Sequence, residues 1–215
     1  MRFKTLKDHV YDYIAEQIAD GSLKTDQKID ENAICSELSI SRTPVREALI
    51  QLAGDGILEN VPRKGYVVKG LSLDDVRELY TVIGCLDGLA VYSALPNLTE
   101  KDFRDMEFFI ESMEVAITSG HFEMYNRQQN EFHEIYISKC GNRTLIDEIN
   151  RLRSKLLKKS YDSNVADVVR KVLKKTNDEH REMLRMMKAG EGSALAGFMA
   201  STHWSVENAR FDLME

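Results

Sequence analysis

The chain has 215 residues, a formal net charge of −6 and 43% hydrophobic residues, which is the composition of a globular protein and excludes a disordered tail. Only 3 prolines and 12 glycines accompany 30% charged residues and 9 methionines, so amphipathic helices are indicated and a turn-rich β-sandwich is not. The acidic balance also argues against nucleic acid as a partner, because neutralising phosphates requires clustered Lys and Arg.

The chain changes character near residue 70. Residues 1–70 contain short elements that include strand-like pieces, whereas residues 71–215 show one long helical pattern after another. Residues 1–70 hold 10 Lys and Arg against 11 Asp and Glu, and residues 71–215 hold 19 against 24. We therefore predict two closely coupled domains, 1–70 and 71–215, with most of the acidity in the second.

Three short helices are predicted in residues 1–70. Apolar residues recur at helical spacing before Gly21, which indicates a first helix that ends there. A short strand is predicted over 28–30, a second helix over 31–38 and a third over 42–52, with Ser41 as its N-cap. Two helices separated by a few residues are typical of a helix-turn-helix.

A β-hairpin with a basic tip follows the third helix. Residues 57–61 and 65–68 are predicted strands, and Pro62, Arg63 and Lys64 join them. Three helices and a hairpin together predict a winged helix-turn-helix. For DNA binding by such a domain, the charge on its binding face is more important than the net charge of the whole chain.

The third helix carries two arginines near its N-terminus, where a recognition helix meets base edges in the major groove. Arg42 and Arg46 are four residues apart and share a face, while the opposite face is apolar and is expected to pack on the first two helices. An arginine fork can bind guanine O6 and N7 together, worth about 1–3 kcal/mol against a wrong base. Further expected DNA contacts are the neighbouring hydroxyls and the wing tip: Ser41, Thr43, Arg63 and Lys64.

The alternative for this domain is a winged helix that contacts another protein. In that case the two arginines are solvated or pair with neighbours such as Glu47. The position of both arginines at the reading end of the helix favours DNA.

A dense motif runs through the third helix and the wing. It consists of Ser41-Arg42-Thr43-Pro44-Val45-Arg46-Glu47-Ala48-Leu49, then Leu52, Gly56 and Gly65-Tyr66-Val67-Val68. This motif resembles the signature of the GntR family of bacterial transcriptional regulators. The resemblance implies a dimer that binds a short palindromic operator in double-stranded DNA, with Arg42 and Arg46 on the operator and Gly65 at the wing. Asn32 falls where some relatives carry an Arg that contacts DNA.

Six helices are predicted in the second domain. Thr99 and Asp102 form a capping-box start, while Gly120 and Gly190 mark helix ends. The fold class is therefore mostly α, a winged helix-turn-helix followed by an all-α antiparallel helical bundle. The predicted bounds are roughly 73–95, 99–119, 121–140, 143–161, 165–189 and 193–212.

Several residues of this bundle resemble the FadR-type ligand-binding domain known as FCD. They are Phe132-His133, Gly141-Asn142, Glu179-His180 and His203, and six helices are typical of its VanR-like subgroup. The resemblance implies that the bundle dimerises and binds a small effector.

Three of the five histidines fall on inward faces of three different predicted helices. His133, His180 and His203 can converge in the bundle, where imidazoles from separate helices form a site for a divalent ion such as zinc or nickel. In the family the fourth ligand is an Asp one turn before the first His, and Gln129 stands there in this chain. A neutral amide is a weaker ligand, so the metal is held less tightly, held through three histidines, or not bound.

The expected function is that of a homodimeric regulator, a repressor, whose effector is an organic acid or sugar acid. Gln129, Tyr136 and Asp87 are the expected pocket residues, and Ile83 occupies a position where many relatives carry an Arg. A coupling free energy of about 1–3 kcal/mol between effector and operator is sufficient for release.

Two alternatives remain for the bundle: a metal-dependent enzyme, and a metal-free module whose histidines hydrogen-bond an anionic ligand. The sequence shows no P-loop, dinucleotide-binding motif or nucleophile elbow, which favours a regulator over an enzyme.

The three cysteines, Cys35, Cys85 and Cys140, lie far apart and form no C-x-x-C motif. They suggest neither a disulfide framework nor a thiolate zinc site, and a reducing cytoplasm fits best. The most apolar stretch, 81–96, is interrupted by Asp87. We expect a cytoplasmic protein without a signal peptide or a membrane span.

Overall fold

A computed structural model describes residues 4–156 and 166–209 of the chain. It separates into two units, one formed by the chain up to Leu71 and the other beginning at Ser72, and a short segment from Ser154 groups with the first. The last part of the predicted helix over 143–161 and the end of the one over 193–212 lie outside the described residues.

The first unit contains three helices and a two-stranded antiparallel sheet, as predicted. The register of the sheet places Leu58 opposite Val68 and Val61 opposite Gly65. The elements are α1 (Leu6–Ala19), α2 (Glu31–Leu38), α3 (Arg42–Gly54), β1 (Leu58–Val61) and β2 (Gly65–Val68).

The predicted strand over 28–30 is wrong as an independent strand. Only a single bridge is present, between Lys28 and Val67. The reason is that Asp30 already begins the next helix, because its side chain accepts hydrogen bonds from the backbone nitrogens of Asn32 and Ala33.

One apolar core holds the first unit together. Val10 and Ile14 of α1 and Val45 and Leu49 of α3 are fully buried in it. The opposite face of α3 is exposed to solvent. The two faces of α3 are thus divided as the periodicity predicts, one for packing and one left accessible.

The second unit is all helical within the described residues. Capping boxes at Ser72 and at Thr99 begin its first two helices, which confirms the predicted start at Thr99. The helices are α4 (Leu73–Ala94), α5 (Glu100–Ser119), α6 (Phe122–Ile137), α7 (Arg143–Arg153), α8 (Ala166–Lys188) and α9 (Gly192–Phe198), with a 3-10 turn Leu95–Asn97 after α4 and a π-helical turn Met199–His203 after α9.

The prediction of one regular α-helix over 193–212 is wrong. α9 ends at Phe198, and in the π-helical turn the backbone nitrogen of Trp204 donates to the carbonyl oxygen of Met199 at 2.9 Å. The extra residue in this turn changes which later side chains point inward. Val206, which α-helical spacing would place on the face of His203, is 43% exposed.

Two glycines let α4 lie very close to α9 and the π-helical turn. A Cβ on Gly88 would lie 2.8 Å from the carbonyl oxygen of Ala196, and one on Gly84 would lie 3.1 Å from the Cα of Ala200. Only a residue without a side chain permits this approach. Asp87, between the two glycines in sequence, is thereby brought against the turn that ends at His203.

The segment Leu73–Asn97 is long and apolar enough to cross a membrane by length and composition, with a mean hydropathy of 1.3. Within that window 44% is buried inside the structure, and the window contains Asp87, whose carboxylate is fully buried and hydrogen-bonded. Because its buried face packs on other helices of the second unit, we interpret α4 as a core helix of the bundle.

Candidate functional site

Three buried histidines from three different segments come together in the second unit. They are His133 of α6, His180 of α8 and His203 of the π-helical turn. The Nε2 atom of His133 lies 3.3 Å from Nε2 of His180 and 3.3 Å from Nε2 of His203. One ligand atom from each histidine lies within 4.8 Å of the others, so the cluster can hold a metal ion.

The separations between these nitrogens match those around a tetrahedral metal ion. Two nitrogens bound at about 2.0–2.1 Å from zinc, with a tetrahedral angle between them, are about 3.3–3.4 Å apart. Both Nε2 separations from His133 are 3.3 Å. His133 therefore already has the spacing of a zinc ligand relative to each of the other two histidines, and all three ligand atoms lie within 4.8 Å of one another.

The outer nitrogens of two histidines face hydrogen-bond acceptors. Nδ1 of His203 is 3.1 Å from Oε2 of Glu179, and a carboxylate only accepts, so this Nδ1 carries the proton. The hydroxyl of Tyr136 donates to Asp87 at 2.7 Å, so it accepts from Nδ1 of His133 at 2.5 Å.

An imidazole whose single proton is on Nδ1 has a lone pair on Nε2, and His133 and His203 both direct Nε2 into the cluster. Two lone pairs that face each other at 3.3 Å repel unless a cation lies between them. The hydrogen-bond pattern thus favours a metal ion over an empty apolar contact among the rings.

Asp87 is a fully buried carboxylate, and both of its oxygens accept hydrogen bonds. Tyr136 donates to Oδ1 at 2.7 Å, and the indole Nε1 of Trp204 donates to Oδ2 at 2.8 Å. Burial, together with the neighbouring Asp87 carboxylate, raises the pKa of Tyr136 well above its usual value, so its hydroxyl keeps the proton. Trp204 is a member of this network that sequence reasoning missed, and its position next to His203 is the only signal for it.

Gln129 lies one turn before His133 on α6, where the family resemblance places an Asp. It is 7% exposed, and its Oε1 is buried without a hydrogen-bond donor among the described residues. A buried acceptor without a donor costs about 1–3 kcal/mol, which a bound cation or ligand at this position would offset. Three clustered imidazoles, two of them oriented by outer hydrogen bonds, and an amide oxygen without a donor fit a divalent metal.

The predicted DNA-contacting arginines lie on the exposed face of α3, and α2 holds both of them. Nε of Arg46 donates to Oε2 of Glu31 at 2.9 Å, and a guanidinium nitrogen of Arg42 donates to Oδ1 of Asn32 at 3.0 Å. Two consecutive residues of α2 therefore orient the two arginines. Sequence reasoning missed Glu31, because the pair joins residues 15 positions apart on different helices.

The remaining predicted contacts lie at the start of α3 and at the tip of the wing. Ser41 is the N-cap residue of α3, but its side chain makes no capping hydrogen bond, so the predicted cap is correct in position only. Thr43 is exposed next to it. In the wing, Arg63 and Gly65 have φ angles of 68° and 89°, the left-handed region that glycine adopts most easily.

Lys64 lies between these two residues at the wing tip. Its Nζ donates to the carbonyl oxygen of Asp26 at 3.4 Å, so the side chain folds back onto the loop before α2. An exposed ammonium can exchange such a contact for a phosphate at little cost.

The chain combines a winged helix-turn-helix unit with an all-α unit that holds a buried histidine cluster. This combination is that of a two-domain winged-helix protein. Residues 6–68 match the family described as bacterial regulatory proteins, gntR family, and residues 78–202 match the FCD domain. The chain belongs to the gntR family and carries an FCD domain.

Similar curated proteins are transcriptional regulators. The chain is 30% identical over 146 residues to the uncharacterized HTH-type transcriptional regulator YdhC of Bacillus subtilis, which covers 66% of this chain and 65% of that protein. It is 29% identical over 148 residues to the probable D-xylose utilization operon transcriptional repressor of Paenarthrobacter nicotinovorans, covering 69% and 65%. It is 32% identical over 121 residues to the gluconate operon transcriptional repressor of Bacillus subtilis, covering 56% and 49%.

The chain thus spans less than two thirds of the length of each of these relatives. The family and the relatives are regulators and not enzymes, so the alternative of a metal-dependent enzyme is not supported.

Solved structures share the fold over nearly the whole chain. McbR/YncC of E. coli has a TM-score of 0.80 at 20% identity and covers 98% of each chain. A GntR regulator from Rhodococcus sp. RHA1 has a TM-score of 0.67 at 18% identity and covers 96% of this chain and 97% of that one. These likenesses confirm the predicted fold class.

Proposed function

We propose that the chain is a cytoplasmic transcriptional repressor that binds operator DNA as a homodimer and releases it when a small acid binds in the FCD domain. Residues 1–70 are then the DNA-binding domain and residues 71–215 the effector-binding and dimerisation domain. One observation carries the proposal: a single chain joins an exposed arginine face on α3 to a buried cluster of three histidines. Two relatives are named repressors of D-xylose utilization and gluconate operons, which supports a sugar or a sugar acid as the effector class.

The operator would be read by α3 and the wing. Arg42 and Arg46 contact base edges, and their partners on α2 keep both side chains at the N-terminal end of α3. The other contacts are to phosphates and sugars and fix the register on the duplex. The proposed set is Asn32, Ser41, Arg42, Thr43, Arg46, Arg63, Lys64 and Gly65.

Footprinting on the DNA upstream of the chain's own gene tests this reading. Arg46→Ala should abolish the footprint while the circular dichroism spectrum stays that of the parent. Arg77→Ala is the matched control, because Arg77 is also an exposed arginine paired with an acid, Asp74, and lies outside the first unit. A footprint that survives Arg46→Ala would show that α3 is not the reader.

The histidine cluster would hold zinc or nickel through three Nε2 atoms. A bound divalent ion supplies Lewis-acid positions at which an effector carboxylate can bind. The chain's own part is to orient the imidazoles and to exclude water, since His133 and His180 are 0% exposed. Gln129, Tyr136 and Asp87 are the proposed residues around the effector.

Metal analysis of protein purified without a histidine tag tests the cluster. The parent should retain about one divalent ion per chain, and His133→Ala should lose it. A parent without metal that still binds an organic acid would favour the second candidate, a metal-free module in which the histidines hydrogen-bond the anion.

The homodimer is supported by an exposed apolar stripe on α4. Val82, Leu89 and Tyr92 are 48%, 50% and 51% exposed, and Cys85 between them is exposed as well. Their spacing of three and four residues is that of an a/d seam, by which two helices pair. A second copy of α4 is the proposed occupant, and Leu89→Arg should convert a dimer to a monomer in analytical ultracentrifugation.

A further inference from the structure

Two buried carboxylates lie on the outer side of the histidine cluster, each connected to a different histidine. Asp87 reaches Nδ1 of His133 through the hydroxyl of Tyr136. Glu179 accepts directly from Nδ1 of His203. Both contacts are made on the nitrogen that faces away from the cluster, so neither carboxylate occupies a ligand position.

Asp87 forms no ion pair with a Lys or Arg side chain within the described residues. Its hydrogen-bond and ion-pair partners there are Tyr136, Trp204 and His133, which carry no fixed positive charge. Removing a carboxylate from water is costly unless a positive charge is close. A divalent ion on the far side of His133 would supply that charge.

Glu179 is partly balanced already. Its Oε1 is 3.8 Å from Nζ of Lys175, whose side chain is 64% exposed. The exposed lysine is screened by solvent, so it offsets only part of the buried charge. Asp87 is therefore the carboxylate that depends more strongly on a cation in the cluster.

We propose that Asp87, acting through Tyr136 and His133, supplies the negative charge that Gln129 does not, and thereby sets the metal affinity of the site. Glu179 contributes in the same sense through His203. The two carboxylates outside the ligand sphere supply negative charge to offset the positive charge of a divalent ion, although Lys175 already offsets part of the charge of Glu179. This inference rests on the proposed metal site.

Asp87 and Tyr136 act as positioning residues. They do not touch the ion, but they keep the proton of His133 on Nδ1 and leave its Nε2 lone pair directed at the cluster. Such outer partners of a ligating histidine raise its basicity and fix its ring orientation. Their loss weakens metal binding by about 10–100-fold in known sites.

Trp204 provides a direct reporter of this network. It is the only tryptophan of the chain, and its indole nitrogen donates to Asp87 at 2.8 Å. Because indole fluorescence responds to its hydrogen-bond partner, a change in the charge balance around Asp87 should shift the emission of Trp204. The parent should show this shift on zinc binding, and Asp87→Asn should not.

The test is a competitive zinc titration of the full chain after metal removal, with a chelating dye as competitor. Tyr136→Phe and Asp87→Asn should each bind zinc about 10–100-fold more weakly than the parent, and Glu179→Gln should show a smaller loss. Asp102→Asn is the matched control, because Asp102 is also a buried carboxylate but contacts Thr99 and Lys139. It should bind zinc as the parent does.

A rescue experiment tests whether the loss of zinc affinity comes from the lost negative charge or from a disturbed fold. Gln129→Asp restores a carboxylate among the ligands, so adding it to Asp87→Asn should recover zinc affinity by at least 10-fold. Thermal melts in the presence of a chelator check that each variant is folded.

The possible failures are distinguishable. A parent that takes up no zinc overturns the proposed metal site and this inference with it. A parent that binds zinc while Tyr136→Phe and Asp87→Asn bind it equally well overturns this inference alone. Loss of affinity in Asp102→Asn equal to that in Asp87→Asn, or absence of rescue by Gln129→Asp, also overturns the charge argument.

Discussion

Replacing Gly88 by alanine should separate α4 from α9 and disturb the histidine cluster from a distance. The added Cβ would lie 2.8 Å from the carbonyl oxygen of Ala196 and 3.3 Å from its Cα. Both contacts are to backbone, which cannot rotate away as a flexible side chain can. The two helices must therefore move apart by several tenths of an ångström.

The size of the effect follows from two opposing contributions. Overpacking of a well-packed interior costs about 1–3 kcal/mol. Alanine in place of glycine inside a helix stabilises by up to about 1 kcal/mol. The free energy of unfolding should therefore fall for Gly88→Ala, by up to about 2 kcal/mol when the full gain is offset. Gly197 has nothing within 4 Å of its added Cβ, so Gly197→Ala in α9 should instead stabilise, by up to about 1 kcal/mol.

Urea unfolding followed by the fluorescence of Trp204 measures both variants, because Trp204 lies in the second unit. The midpoints should shift in opposite directions. Zinc affinity should fall in Gly88→Ala, since movement of α4 takes Asp87 away from Tyr136, and should be unchanged in Gly197→Ala. A Gly88→Ala protein that is as stable as Gly197→Ala and binds zinc like the parent would refute the close packing described for α4.

Three further predictions concern other parts of the chain. Glu31→Gln should free Arg46 to bind phosphates, so affinity for a random DNA duplex should rise while the ratio of specific to random binding falls. Fluorescence anisotropy measures both affinities. An unchanged ratio would contradict a role of Glu31 in positioning Arg46. Although burial opposes it, hydrogen bonds from Lys139 and Thr99, together with the charge of Lys139, lower the pKa of Asp102 to about 2. That contribution to stability is fully present above the unfolded-state pKa and is lost as pH falls through the folded-state pKa of about 2. Asp102→Asn should therefore be less stable than the parent at pH 7, and the difference should shrink as pH falls to 2 in urea titrations. Oxidation of the parent dimer should cross-link Cys85 between chains if the α4 stripes pair at that residue, and cross-linking absent in a confirmed dimer would place the interface elsewhere.

Local patterns in the sequence were sufficient for most of the fold. The start of α5 follows from the capping residue Thr99, and helix ends follow from glycines such as Gly120 in the left-handed conformation. These signals act over three or four residues, so they can be recognised without knowing the packing. The π-helical turn has no such local signal, and the regular helix predicted through it was wrong.

The histidine cluster could also be predicted from the sequence. His133, His180 and His203 fall on inward faces of amphipathic helices, and their convergence follows from the bundle itself. The arginines of α3 were predicted for the same reason, since one face of an amphipathic helix must pack and the other is left to bind.

The partners of these residues depend on how distant segments pack. Asp87 meets Tyr136 across 49 residues and Trp204 across 117, and Arg46 meets Glu31 on another helix. Which carboxylate lies next to which histidine depends on the close approach that Gly84 and Gly88 permit, because a shift of a few tenths of an ångström breaks a hydrogen bond. The amino-acid sequence therefore identifies the ligands and the reading helix, whereas the tertiary packing selects the groups that orient and charge-balance them.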